Sequence, residues 1–425
     1  MTRPRRFACA TLLLLGLAAS DAPAAHGEGR IEAGVARATF TVRPGVPLAG
    51  YSRRDGAPSS GQHDPVGVRA VVLEDAEQAV AIVSCDLLII DEHLASAVAT
   101  RVAQRSPGRP PLLFLAATHT HSGPGAYGRK FLEKLSMGHY EPAVFDALVE
   151  HIADTVLRAR ASRQPVRLAA GREPTTGLVV NRMDPQGPRD AELIICALYP
   201  AQEARPFAVL MNFAAHPTTL GASNMQLSAD YPGVLVRQLE ARWPSATGLF
   251  LAGAVGDQAP VKRGEGFERA EWLGGRLAEQ ATALLERFEP RAPQRLLARQ
   301  DTLPLPSAAV RLGRWLTLPR WLGRRLVDDD ATLSLVVVGD VALHGLPCDV
   351  AAPLGQQLKE HARARGLESL AVSFVNDYIG YCIPEPLYRT NAYEASMAFN
   401  GPQAGARLVQ RSQEMLDQLL GDSRP

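Results

Sequence analysis

The sequence has 425 residues, and its 45 Lys and Arg residues almost balance its 44 Asp and Glu residues, so that the formal net charge at pH 7 is +1. A chain with so little net charge gives no reason to expect nucleic acid or another polyanion as a partner. Five cysteines in a chain of this length exclude a small scaffold held together by disulfide bonds.

The first 28 residues have the pattern of an export signal. Three arginines precede a short, mainly apolar run over Phe7–Ala19, and small residues follow it. The run is too short to span a bilayer, and no cysteine follows it where a lipid anchor would be attached. We therefore expect a signal peptide over 1–28 and an exported chain, periplasmic or secreted.

In an oxidising compartment Cys348 and Cys382 could form a disulfide bond, and buried free thiols are an equal alternative.

Strand patterns alternate with helical periodicity along the rest of the chain. The predicted helices cover 92–104, 142–159, 232–242, 270–288, 351–364 and 404–420, and the predicted strands include 31–40, 68–73, 79–90, 112–117, 166–169, 193–198, 207–212, 248–252, 333–338 and 371–374. This alternation indicates an α/β architecture with mixed sheets flanked by helices. No repeat or low-complexity linker divides the chain, so we expect one domain, with functional side chains in loops after strand ends.

The most informative segment follows the predicted strand 112–117. Residues 118–125 read Thr-His-Thr-His-Ser-Gly-Pro-Gly, which places His119 and His121 two residues apart. In an extended segment both side chains point to the same side, roughly 7 Å apart. The glycines and proline then force a loop. Two imidazoles at the end of a core strand indicate a metal site, with one histidine as ligand and the other transferring protons.

Four later motifs also place chemically active side chains near predicted strand ends. His216 follows an apolar run, Asp257 lies in a glycine-rich turn, Asp349 comes just after a strand, and four tyrosines fall within 378–393. Each has an ordinary structural explanation: loop histidines often have no catalytic task, and turn aspartates often bond local backbone. A phenol can also donate to an oxyanion or ligate a metal when ionised. The repetition of the pattern favours one shared site.

Taken in order, these motifs resemble the neutral/alkaline, non-lysosomal ceramidase family. The resemblance runs from about Ala33 to Gly401 and is most specific at 118–125. It also includes His63-Asp64-Pro65 with Arg69, Asn181-Arg182, His216-Pro217-Thr218, Gly256-Asp257, Tyr381 and Tyr393-Glu394-Ala395. Members of this family are zinc-dependent amidases that split ceramide into sphingosine and a fatty acid. The resemblance therefore implies a zinc hydrolase domain over 29–425.

The resemblance also implies the roles of individual residues. The zinc ligands would be His119, His216, Asp349 and Tyr381, with Asp349 standing where the family has glutamate. The catalytic residues would be His121, Arg182 and Tyr393. His121 would pass a proton to the leaving amine, while Arg182 and Tyr393 would polarise the amide carbonyl. An open position on such a zinc ion lowers the pKa of bound water to about 7 and so supplies the nucleophile.

The chain departs from the family pattern at three points. Ala259 stands where the family has a serine, which excludes a mechanism that depends on that serine but leaves one based on zinc-bound water. Asp349 is one methylene shorter than glutamate, and no C-terminal immunoglobulin-like domain is expected. These departures favour zinc-dependent amide hydrolysis more firmly than ceramide as the substrate. The alternatives are a catalytically impaired lipid-binding homologue and a hydrolase of a smaller N-acyl amine or ester.

One basic and aromatic segment bears on a lipid-like substrate. Residues 311–325 combine five arginines with Trp315, Trp321 and several leucines. This composition suits peripheral contact with a membrane surface, where tryptophan lies at headgroup depth and arginine contacts phosphates. An ordinary basic surface helix is the alternative, although Pro319 and two glycines disfavour a continuous helix.

Overall fold

The structure is a computed structural model that describes residues 31–312, 316–317, 323 and 326–422. The predicted signal peptide over 1–28 lies outside the described residues, and so does most of the segment 311–325. Within the described ranges, no helix combines the length and apolar character needed to cross a bilayer.

The described residues form eight α-helices, two short 3-10 helices and twenty strands. The helices are α1 (Glu92–Arg105), α2 (Phe131–Met137), α3 (Pro142–Ala161), α4 (Asp230–Arg242), α5 (Gly266–Leu285), α6 (Ala352–Arg363), α7 (Tyr393–Ser396) and α8 (Ala404–Asp422), with 3-10 turns at Ser52–Arg54 and Glu385–Arg389. The first ten strands are β1 (Glu32–Thr39), β2 (Gly61–Gln62), β3 (Gly67–Glu74), β4 (Ala79–Cys85), β5 (Leu112–Ala117), β6 (Gln164–Pro174), β7 (Val179–Asn181), β8 (Glu192–Pro200), β9 (Ala208–Phe213) and β10 (Gln226–Leu227). The others are β11 (Thr247–Ala252), β12 (Gln258–Pro260), β13 (Leu296–Pro304), β14 (Arg311–Leu312), β15 (Leu316–Thr317), β16 (Asp330–Val338), β17 (Val341–Gly345), β18 (Asp349–Val350), β19 (Glu368–Val372) and β20 (Tyr381–Cys382).

The larger sheet is mixed and bent. Its eight strands run in the order β11-β9-β8-β6-β1-β3-β4-β5, with parallel pairing at β4·β5 and β9·β11 and antiparallel pairing elsewhere. Strands β1 and β6 share only two residue pairs, so the sheet has two four-stranded halves. The halves approach each other until β11 contacts β3, β4 and β5, and the Ser84 hydroxyl donates to the Phe250 carbonyl at 2.6 Å. This bend brings the loops after β5 and β9 together.

Two hydrophobic cores lie on opposite faces of this sheet. In β3, Val68, Ala70 and Val72 pack with α1 and α3, whereas Val71 and Leu73 pack with the second sheet, β13-β16-β17-β19. The division follows from the alternation of side chains along a strand. Full burial of each aliphatic side chain contributes roughly 1.5–3 kcal/mol. Helices α6 and α8 cover the outer face of the second sheet, which completes an α/β/β/α arrangement.

The predicted α/β class with mixed sheets flanked by helices is confirmed. The predicted strand over 79–90 is too long, because the chain leaves the sheet after Cys85. There the Asp86 carboxylate accepts the Gly67 amide at 2.9 Å, which fixes a turn at the end of the strand. Residues after this turn form a loop that reaches the candidate site.

The structure contains free thiols at Cys348 and Cys382 rather than the disulfide bond that the sequence left open. Cys348 and Cys382 are buried and unlinked, and so are Cys85 and Cys196. Burial raises the pKa of the Cys348 thiol well above its usual range, so the thiol stays protonated.

Candidate active site

The candidate site lies where loops from both sheets meet. His119 follows β5 by two residues and His216 follows β9 by three, and the bend of the larger sheet brings these loops together. Asp349 and Tyr381 are partners in the short parallel pair β18·β20. The two predicted nitrogen ligands therefore come from one sheet, and the two predicted oxygen ligands come from an adjacent strand pair.

His119 is fixed on both sides of its ring. Its Nδ1–H donates to the Leu88 carbonyl at 2.6 Å, and its ring stacks on Phe374 with centroids 3.9 Å apart. The donation leaves Nε2 as the free nitrogen, which is the usual arrangement around a ligating histidine. The expectation of an extended backbone is wrong here, because His119 has φ +65°. Its imidazole reaches the site from a left-handed turn, which sequence periodicity does not reveal.

His216 faces His119 across a short gap. Its Nδ1–H donates to the Val255 carbonyl at 3.1 Å, and its Nε2 lies 2.8 Å from the Nε2 of His119. The Nε2 of His121 is 3.2 Å from the same His119 atom. One nitrogen from each of the three histidines therefore falls within a span of 4.8 Å.

The three imidazoles are neutral in this environment. Burial lowers the pKa of His119 to about 3 and lowers the pKa values of His121 and His216 well below their usual range. A neutral imidazole has the lone pair that metal binding requires.

Asp349 supplies a carboxylate beside these nitrogens. Its Oδ1 lies 3.6 Å from His119 Nε2 and 3.8 Å from His216 Nε2, is buried and has no hydrogen-bond partner. Its Oδ2 accepts the Tyr378 hydroxyl at 2.8 Å. Burial raises the pKa of Asp349 to about 7. Sequence reasoning assigned no role to Tyr378, although it belongs to the tyrosine cluster.

These side chains fit a bound cation. With their Nδ1 protons on backbone carbonyls, His119 and His216 direct lone pairs at each other, and the unpartnered Asp349 oxygen lies beside them. Lone pairs and a carboxylate in one buried pocket repel each other unless a positive charge lies between them. Imidazole and carboxylate are both ligands of zinc and of related divalent ions.

Arg182 is held next to Tyr381. Its Nη2 donates to the Tyr381 hydroxyl at 2.9 Å and to the Gly256 carbonyl at 2.8 Å, and its Nε pairs with Glu394 at 2.8 Å. Burial and Asp349 raise the pKa of Tyr381 above its usual range, while Arg182 acts in the opposite direction. The guanidinium therefore supplies positive charge at the edge of the site, as its predicted role requires.

Tyr393 lies at the rim of the site. Its side chain is 62% exposed, and its ring meets that of Tyr381 edge-on, with centroids 5.8 Å apart. This position leaves the hydroxyl accessible to a ligand in the cavity described below.

The turn that contains Asp257 is structural. Its carboxylate accepts the Ala352 amide at 2.7 Å and the Asn181 side chain at 3.0 Å, and its carbonyl accepts the Arg182 amide at 2.8 Å. Asp257 thus joins the start of α6 to the strand that precedes Arg182. Ala259 pairs with Val180 in β12·β7 and does not line the cavity.

A cavity of about 290 Å³ opens onto the site. His119, His121 and Asp349 form part of its wall, and Tyr381 and Tyr393 also line it. Most of the remaining wall is aliphatic or aromatic and includes Leu88, Ile89, Leu132, Met137, Ile379 and Phe399. Such a cavity suits a ligand with a polar group at the histidines and a hydrocarbon portion elsewhere.

Helix α2 exposes apolar side chains beside this cavity. Leu135 lines the cavity and is 50% exposed, and Phe131, one turn earlier on the helix, is 61% exposed. Residues four apart on a helix share a face, so these two side chains form one apolar patch, called here the α2 lip.

Comparison with known proteins agrees with these motifs. The sequence model described as "Neutral/alkaline non-lysosomal ceramidase, N-terminal" matches residues 32–266. A neutral ceramidase of Pseudomonas aeruginosa is 34% identical over 117 residues, which cover 27% of this chain and 18% of that protein. A neutral ceramidase of Mycobacterium tuberculosis is 26% identical over 166 residues, which cover 34% of this chain and 26% of that protein. The aligned parts thus span about a fifth to a quarter of these relatives.

Solved structures share the fold over most of the chain. The crystal structure of the Pseudomonas aeruginosa neutral ceramidase has a TM-score of 0.82 at 20% identity and covers 91% of this chain and 74% of that one. A ceramidase complexed with C2 has a TM-score of 0.83 at 19% identity, and the match covers 92% of this chain and 76% of that one. At these identities the likeness shows the fold alone. The family model matches more than half of the residues of this chain. The chain therefore belongs to the neutral/alkaline non-lysosomal ceramidase family.

Proposed function

We propose that the chain is a zinc-dependent amidohydrolase that cleaves the amide of an N-acyl sphingoid or a related N-acyl lipid, with ceramide as the first candidate. The observation that carries this proposal is the convergence of three imidazole nitrogens and an unpartnered Asp349 oxygen at the wall of a largely apolar cavity. Family membership and the relatives' names support the reaction class.

The proposed zinc ligands are His119, His216, Asp349 and Tyr381. Two nitrogens and two oxygens form a donor set that zinc accepts, and Arg182 beside the Tyr381 hydroxyl favours its ionised form. When bound, zinc would supply Lewis-acid activation of water and of the substrate carbonyl.

His121 is proposed to carry protons. Its side chain is less buried than those of His119 and His216 and lines the cavity. Arg54 Nη1 donates to the His121 carbonyl at 2.6 Å, which holds the residue in place. A neutral imidazole can take a proton from the attacking water and return it to the leaving amine. If His121 is instead a third nitrogen ligand, its removal will lower the zinc affinity as much as removal of His119.

Arg182 and Tyr393 are proposed to stabilise the charge that develops on the carbonyl oxygen. Arg182 is oriented by Glu394 and Gly256, and Tyr393 reaches the cavity from its rim. A donor that is held in advance, as Arg182 is, is effective because it needs no rearrangement during the reaction.

The apolar wall is proposed to hold the acyl chain. Each methylene buried there contributes about 0.8 kcal/mol to binding, so KM should fall as the acyl chain lengthens until the cavity is filled. We also propose that the α2 lip contacts the lipid surface from which the substrate is drawn, and that residues 1–28 direct export.

The test combines metal analysis with hydrolysis of N-acyl sphingosines of different acyl lengths. We expect zinc-dependent release of fatty acid, loss of both zinc and activity in His119→Ala, and loss of activity with zinc retained in His121→Ala. Full activity of zinc-free protein, or of His119→Ala, would refute the proposal.

A second candidate follows from Ala259, which replaces the family's serine. It is a homologue that binds an acyl lipid without cleaving it. Binding of ceramide by zinc-loaded protein without turnover would support this candidate, and measurable amide cleavage would eliminate it. Cleavage confined to short N-acyl amines or esters would point to the smaller substrates instead.

A further inference from the structure

Tyr378 and the two histidines approach different oxygens of the Asp349 carboxylate. The phenol donates to Oδ2 at 2.8 Å, whereas Oδ1 has no hydrogen-bond partner and lies 3.6 Å from His119 Nε2 and 3.8 Å from His216 Nε2. Rotation about the last bond of an aspartate interchanges its two oxygens and readily tilts the carboxylate. The hydrogen bond from Tyr378 restricts that rotation.

We propose that Tyr378 is a positioning residue that orients Asp349 for metal binding, an inference that rests on the proposed function. Partners that hydrogen-bond a metal ligand orient it, and their loss typically lowers metal affinity or activity by about 10- to 100-fold. Aspartate has one rotatable bond fewer than glutamate, so a misplaced Asp349 carboxylate has less freedom to correct its direction. An orienting bond is therefore especially useful in this chain.

The turn that carries Tyr378 is fastened to the strand that leads to His119. Phe374 and Asn376 have φ values of +62° and +61°, in the left-handed region that is unfavourable for non-glycine residues. The Asn376 side chain offsets this cost by accepting the Leu115 amide at 3.0 Å and donating to the Leu113 carbonyl at 2.7 Å. Both partners belong to β5, so the turn and the His119 loop share one support.

The other end of the turn is fastened to Asp349. The Asp349 amide donates to the Gly380 carbonyl at 2.9 Å, so the carboxylate and the Tyr378 hydroxyl are linked through backbone as well as side chains. At the start of the turn, Phe374 stacks on the His119 ring. One short turn therefore contacts two predicted ligands that come from different parts of the fold, and it can set their relative position.

The test measures metal affinity rather than catalysis. Tyr378→Phe removes one oxygen and keeps the ring, so packing against Phe374 is retained. We expect the Zn²⁺ dissociation constant, measured by competition with a chelator of known affinity, to rise about 10- to 100-fold. The visible spectrum of the Co²⁺-substituted protein should shift as well. Tyr140→Phe is the matched control, because its hydroxyl accepts Arg129 at 3.0 Å outside the cavity lining, and it should leave both properties unchanged.

A double-mutant comparison separates positioning from a general structural effect. If Tyr378 acts through Asp349, adding Tyr378→Phe to Asp349→Asn should cause no further loss of zinc affinity. An unchanged dissociation constant in Tyr378→Phe, or an undiminished effect in the Asp349→Asn background, would overturn the inference. Because the readout is zinc binding, a protein that binds zinc but cleaves neither ceramide nor any related N-acyl lipid would refute the proposed function and leave this inference standing.

Discussion

Glu394 offers a sharp test of how Arg182 is oriented. The carboxylate pairs with the Arg182 Nε at 2.8 Å, and the two side chains are 9% and 25% exposed. Hydrogen bonds that involve charged groups contribute about 1.5–3 kcal/mol, which corresponds to roughly 10- to 150-fold in rate if the orientation matters only in the transition state. Glu394→Gln keeps the shape and removes the charge. We therefore expect Glu394→Gln to lower kcat roughly 10- to 150-fold with little change in KM.

The assay is steady-state hydrolysis of a short-chain fluorescent ceramide by zinc-loaded protein. Glu368→Gln is the matched control, because Glu368 pairs with Arg172 at 2.8 Å away from the cavity. Equal kcat in Glu394→Gln and the unmodified protein would refute the reasoning about Arg182. An equal loss in both variants would show that the effect comes from general destabilisation.

Three further predictions concern pH, lipid contact and acyl length. Burial raises the pKa of Asp230 to about 6, so its contribution to the free energy of unfolding is complete below about pH 4 and is lost as the pH rises through 6. Urea unfolding of Asp230→Asn should therefore lack this part of the pH dependence, and an identical profile would contradict the assignment. Phe131→Ser with Leu135→Ser should reduce sedimentation with phosphatidylcholine vesicles, whereas Val180→Ser, an exposed apolar residue outside the cavity lining, should not; equal binding would exclude the α2 lip. Leu132→Trp should lower kcat/KM for long-chain ceramides more than for an acetyl substrate, and a uniform loss would argue against an acyl chain beside Leu132.

The α/β class was predictable because its signals are local. Alternating and continuous apolar runs identified most strands of the larger sheet, and β5 matches its predicted bounds, 112–117. The end of β4 was not predictable in this way. An apolar run continues to Ile90, but the bond between Asp86 and the Gly67 amide depends on a neighbouring strand.

In the candidate site, too, some features have a sequence signal and others depend on contacts across the fold. The resemblance to the ceramidase family implied His119, His216, Asp349 and Tyr381 as ligands, and the structure places these four residues near one another. His119 and His216 meet because the larger sheet bends between its two halves, and Asp349 and Tyr381 reach them from the separate β18·β20 pair. No local sequence pattern encodes either placement. The role of Tyr378 also depends on a contact across the fold, so its only sequence signal was membership of the tyrosine cluster.

We propose that the side chains of His119, His216, Asp349 and Tyr381 hold a metal ion on which amide cleavage depends. The most direct test measures zinc content and ceramide hydrolysis together in the unmodified protein, in His216→Ala and in Asp349→Ala. We predict about one zinc per chain in the unmodified protein, as in catalytic sites of this kind, with zinc and hydrolysis lost together in both variants. Hydrolysis that persists in either variant after its zinc is gone would contradict the account.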